Sequence, residues 1–125
     1  MLRFVVIGLL ALVTACSTVK PMTVEVASKT VFGLKGTYGA ALVVATTYAQ
    51  QPRCTTPDAL PHPFCSDRGV LDKMLELQPK ARASLDAAES GVRQVTTDTS
   101  QLSALVTAAQ TAVNAFAAVT DSVKK

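Results

Sequence analysis

At 125 residues the chain is one domain long, and 12 basic against 9 acidic side chains, a formal charge of +3, leave it without a dominant field of either sign. Nucleic-acid recognition calls for a basic face interleaved with stacking aromatics, which four Phe, two Tyr and no Trp do not offer. Hydrophobic residues make up 49% of the chain, enough for the modest core that a domain of this size can bury.

The first element is an export signal. Arg3 precedes an uncharged apolar run from Phe4 to Leu12, and the small-residue close Val13-Thr14-Ala15 ends at Cys16. From Phe4 to Ala15 there are only 12 residues, whereas a membrane-spanning helix needs about 20. An ordinary secretory signal would end in small residues too, but it has no use for a thiol at the first mature position. Val13-Thr14-Ala15-Cys16 resembles the lipobox of bacterial lipoproteins. That resemblance implies diacylglyceryl transfer to the Cys16 sulfur, cleavage after Ala15 and acylation of the new amino terminus. Residues 1–15 are then signal, 16–22 a lipidated tether and 23–125 the domain. Cleavage removes Arg3 and lowers the formal charge from +3 to +2. A single acyl chain attaches only marginally at about 0.8 kcal/mol per buried methylene, so lasting attachment comes from several chains on Cys16. Ser17 follows the lipidated position where a retention signal places Asp. This resembles the pattern of lipoproteins sent to the periplasmic face of the outer membrane.

Three segments of the mature chain repeat apolar residues at steps of three and four. Val24, Ala27, Val31, Leu34, Tyr38, Ala41, Ala45 and Tyr48 form the first stripe. Leu71, Met74, Ala81, Leu85, Ala88, Val92 and Val95 form the second, with Gln78 as its one polar member, and the register continues across Pro79, which predicts a kink. Leu102, Leu105, Ala109, Ala112, Phe116, Val119 and Val123 form the third. Three amphipathic helices must cover one another's stripes. The expected fold is therefore all-α, a three-helix antiparallel bundle. A continuous second and third helix is the competing architecture, because no Gly or Pro lies between Val92 and Lys125. Against it, Val95 to Ser100 is rich in poor helix formers, and Asp98 with Gln101 has capping-box spacing.

The first helix carries two conflicts. Thr23 to Phe32 is rich in β-branched residues, which allows a short strand or a disordered lead. Gly33, Gly36 and Gly39 lie inside the helix and each costs about 0.8–1 kcal/mol relative to Ala. Their spacing leaves a smooth strip off the main stripe, either packed tightly on a neighbouring helix or serving as a contact face for another chain.

Between the first two helices, Gln51 to Cys65 holds Pro52, Pro57, Pro61 and Pro63, a density no helix tolerates. Cys54 and Cys65 bracket this loop in a chain addressed to an oxidising compartment, and a disulfide is the expected state. The rival reading is a metal site from Cys54, His62 and Cys65, with Asp58 or Asp67 as fourth ligand. Ser66 and Asp67 stand where a cap for the second helix is needed.

Catalytic signals are absent from the pattern. There is one His, and no Gly-rich phosphate loop or Gly-x-Ser-x-Gly motif. Asp72 with Glu76 and Asp86 with Glu89 fall among basic residues at helical spacing, the signature of a solvated charged face. Tyr48-Ala49-Gln50-Gln51-Pro52-Arg53-Cys54 followed by Cys65-Ser66-Asp67 is similar to the loop of small helical proteins, some encoded in phages or prophages. That similarity implies a role in envelope interference such as lysis or exclusion of competitors. The leading expectation is a non-enzymatic, membrane-anchored envelope lipoprotein without a cofactor, which binds another envelope component through its helical domain.

Overall fold

The structure, a computed structural model, describes residues 22–55, 65–94 and 98–124. The expected export signal with Cys16, the loop residues Asp58 and His62, and residues 95–97 lie outside the described residues. Helix α1 spans Val24–Ala49, α2 Arg68–Arg93 and α3 Thr99–Asp121. The first and second helices, at 26 residues each, are about 39 Å long. Each packs on both of the others.

Side-chain pairs give the directions. Tyr48 meets Asp67, Tyr38 meets Gln78 and Lys35 meets Glu89, so α1 and α2 run antiparallel. Gly91 lies against Leu102 and Leu105, which turns α3 back along α2. Tyr38 stacks near Phe116 while Tyr48 shares a hollow with Val123, so α1 and α3 run parallel. The continuous second helix is thereby ruled out, because α2 and α3 are separate and fold against each other.

Each helix begins on a side-chain oxygen that satisfies an otherwise free amide. Thr23 accepts from Val26 N at 3.3 Å, Asp67 from Val70 N at 3.0 Å, and Asp98 from Ser100 N at 3.2 Å. The strand or disordered lead at Thr23 to Phe32 is not what forms. With a capped start and an inward face to bury, the β-branched residues lose only tenths of a kcal/mol each in a helix, and α1 is helical from Val24 onward. Helix α2 passes through Pro79 as one element. The carbonyl that proline leaves without its helical donor belongs to Leu75, on the solvent face, where water can replace it.

The core is centred on α3. Leu102, Val106, Ala109, Val113 and Phe116 are all at 0% exposure, and α1 and α2 supply alanines at 27, 41, 81 and 88 that let α3 sit close to both. Thr120 is buried beside them with its hydroxyl donating to Ala117 O at 2.8 Å. Gln78, the polar interruption of the α2 stripe, donates to Tyr38 Oη at 3.0 Å and thus belongs to the interface between α1 and α2. Val24, expected in the core, is half exposed at the helix end.

Candidate functional site

Chemistry-bearing groups collect first at the loop between α1 and α2. Cys54 and Cys65 are joined in a disulfide, with Cα atoms 5.0 Å apart. Both sulfurs are bonded to each other, so neither is a thiolate ligand, and Asp67 is engaged at the α2 cap. Ser66, expected as a cap, instead turns back toward α1. It is 1% exposed, donates through its hydroxyl to Gln51 O at 3.2 Å, and pairs by backbone with its neighbours, Ser66 N to Pro52 O at 2.8 Å and Cys54 N to Ser66 O at 3.1 Å. Buried Tyr48 completes the junction by accepting from Asp67 N at 2.7 Å. Spacing alone had no signal for this Tyr48–Asp67 bond, because Tyr48 read as an apolar stripe member. The arrangement ties the end of α1 to the start of α2.

The paired carboxylates are on the charged outer side of α2. Asp72 faces Arg68, Glu76 faces Lys80, Asp86 faces Arg82, and Glu89 is held by Lys35 and Arg93. The hydrogen bond from Lys80 holds Glu76 below its ordinary carboxyl pKa, and hydrogen bonds from Lys35 and then Arg93 do the same for Glu89. A general acid needs its pKa raised toward neutrality, the opposite direction. Among the described residues no group of three or more His, Cys, Asp or Glu is placed to hold a metal ion.

Gly33, Gly36 and Gly39 are on the open side of α1. Among the described residues a Cβ built at any of them meets nothing within 4 Å, so they do not mediate tight packing between the three helices. Phe32 and Val43 stand out beside them at 81% and 67% exposure. None of the glycines has a positive φ, so alanine fits each position without strain. Replacing all three by alanine is expected to stabilise the bundle by about 2–3 kcal/mol, from the difference in helix propensity. Urea denaturation checks this, and a loss of stability would show that the strip packs against the protein's own chain.

The glycine that does allow a close approach is Gly91. A Cβ there would be 2.7 Å from Leu105 Cδ1 and 3.5 Å from Leu102 Cδ1, so α2 and α3 approach closely at this point. Gly91 follows Ala88 by three and so continues the buried row of α2, but without a side chain it does not read as an apolar member of that row. An open groove of about 730 Å³ also runs between α2 and α3, lined by Leu77, Ala104, Thr107, Ala108, Thr111 and Ala115. No charge occurs in α3 from Thr99 to Thr120, in contrast to the densely charged α2. No family model, curated protein or solved structure matches the chain.

Proposed function

We propose that the protein is a non-enzymatic envelope lipoprotein, anchored through acyl chains on Cys16, whose helical bundle presents a surface to another envelope component. The observation that carries this reading is the Val13-Thr14-Ala15-Cys16 lipobox, placed six residues before a capped and disulfide-tied bundle. Ser17 directs the anchored protein to the periplasmic face of the outer membrane in a host with two membranes. The open face of α1 along Gly33, Gly36 and Gly39 is the proposed contact face. Each glycine costs the helix about 0.8–1 kcal/mol and packs against nothing among the described residues. In the triple alanine variant, crosslinks from this face to its envelope partner are expected to diminish even though the bundle is more stable.

Labelling with a palmitate analogue tests the anchor. Wild-type protein is expected to incorporate label and to sediment with membranes, and Cys16→Ser to lose both. Label retained in Cys16→Ser would sink the reading.

A second reading, envelope interference of phage or prophage type, has one observation in its favour. Helix α3 is long and apolar enough, by length and composition, to cross a membrane. That use would remove Leu102, Val106, Ala109, Val113 and Phe116 from a core in which all are fully buried, and this favours the first reading. Growth arrest on expression that disappears when α3 is crosslinked into the bundle would favour the second.

A further inference from the structure

We infer that the amino-terminal end of α1 is a lipid contact, and that Val24 and Phe32 seat the bundle on the bilayer surface. The inference rests on the anchoring reading above.

Five large hydrophobic side chains are strongly exposed among the described residues: Val24 at 52%, Val26 at 51%, Phe32 at 81%, Val43 and Leu75. Three of them fall between residues 24 and 32, the part of the domain nearest to Cys16. From Cys16 to Met22 the chain can reach at most about 20 Å. Phe32 lies eight residues beyond Val24, or about 12 Å along the helix axis. Val24, Ser28 and Phe32 are spaced by four and form one row on α1, whereas Val26 is turned about 200° from Val24 and lies off that row. An α1 inclined toward the surface therefore brings this row into the interfacial layer without stretching the tether. The anchor has already confined the domain to the membrane, so even a small apolar patch is held at a high effective concentration against lipid.

Charge distinguishes this patch from a polybasic lipid-binding surface. Lys29 is paired with Glu25 at 2.7 Å, Lys35 with Glu89 at 2.8 Å, and Arg93 with Glu89. Glu25 offsets Lys29, while Lys35 and Arg93 share the one carboxylate of Glu89, so these groups carry a net +1 and form no polybasic cluster, and the contact rests on its apolar side chains.

The chain has no Trp, so one introduced Trp reports its own surroundings without background. Full-length lipidated Phe32→Trp and Leu75→Trp proteins are reconstituted in phosphatidylcholine vesicles with and without brominated acyl chains. Leu75 is exposed near the disulfide end of α2, far from the tether, so both variants replace side chains the core does not use. Circular dichroism checks that both remain helical. The Trp at position 32 is expected to emit to the blue and to lose about half of its emission to brominated lipid. At position 75 it is expected to remain unquenched. Protein that floats with the vesicles while position 32 stays unquenched overturns the lipid contact and leaves the anchor standing. Equal quenching at both positions overturns it as well. A blue shift without quenching that grows with protein density on the vesicle assigns the patch to a second copy of the chain and also overturns it. Wild-type protein that does not float removes the anchor and the contact together.

Discussion

Replacing Phe116 by Ala is expected to lower the unfolding free energy by about 3–5 kcal/mol, the range for a fully buried aromatic side chain. Phe116 has 0% exposure, and its ring centroid lies 5.7 Å from that of Tyr38 at an interplanar angle of 46°. It also walls an open hollow of about 200 Å³ lined by Leu42, Ala45, Leu71, Met74 and Gln78. Truncation would join the space left by the ring to that hollow and admit water to the centre of the bundle. A single domain is commonly stable by only about 5–15 kcal/mol, so the loss is a large share of the total. At roughly 4–8 °C per kcal/mol, the melting temperature should fall by at least about 12 °C. Urea titration separates this outcome from a change of fold, since a shifted midpoint with an unaltered slope marks lost stability alone. A loss below about 1 kcal/mol would mean that α1 and α2 close over the missing ring, and the core would then be more plastic than its burial implies.

The position of Phe116 was legible in the sequence, but the register of its helix was legible only in part. Steps of three and four selected Leu102, Leu105, Ala109, Ala112, Phe116, Val119 and Val123. The most deeply buried row is Leu102, Val106, Ala109, Val113, Phe116 and Thr120. The two rows share Leu102, Ala109 and Phe116 and are otherwise neighbours on the helix surface. Ala, Val and Thr surround α3 on every side, so no charge marks where its buried face ends. Only its place against both α1 and α2 decides the matter, because a helix in contact with two others needs a wider apolar face than one stripe. Charge made α2 much easier to read. Its acids and bases alternate on the outer side, and Leu71, Met74, Ala81, Leu85 and Ala88 are buried as the pattern requires.

The glycines illustrate a different limit. Gly33, Gly36 and Gly39 drew attention because three costly residues stood in one helix, yet a sequence does not tell whether the space above a glycine is filled. Among the described residues it is open at all three and closed at Gly91, which continues the buried row after Ala88 but has no side chain to mark it. Likewise the paired cysteines were visible, whereas Ser66 and Tyr48 were not, since their bonds cross a loop and join residues 15 and 19 positions apart.

Removing the Cys54–Cys65 disulfide is expected to cost about 2–3 kcal/mol, the chain-entropy value for a loop of this length. The half-cystines are 11 positions apart and bracket a segment that holds three of the chain's six prolines, Pro57, Pro61 and Pro63. The junction has other ties: Ser66 N to Pro52 O, Cys54 N to Ser66 O, and Asp67 N to Tyr48 Oη. These bonds do not depend on the sulfurs, so the folded state of a Cys54→Ser, Cys65→Ser double variant should keep its helices while its unfolded state gains freedom. Circular dichroism at low denaturant should then match that of the parent, and the urea midpoint should fall. Both thiols of the parent should resist alkylation until reductant is added. Free thiols in the oxidised protein, or zinc retained in stoichiometric amount, would instead favour coordination by Cys54, His62 and Cys65. A double variant that loses its helical signal altogether would show that the hydrogen bonds at Ser66 and Tyr48 cannot hold α1 and α2 together, and that the covalent tie is a condition of the fold.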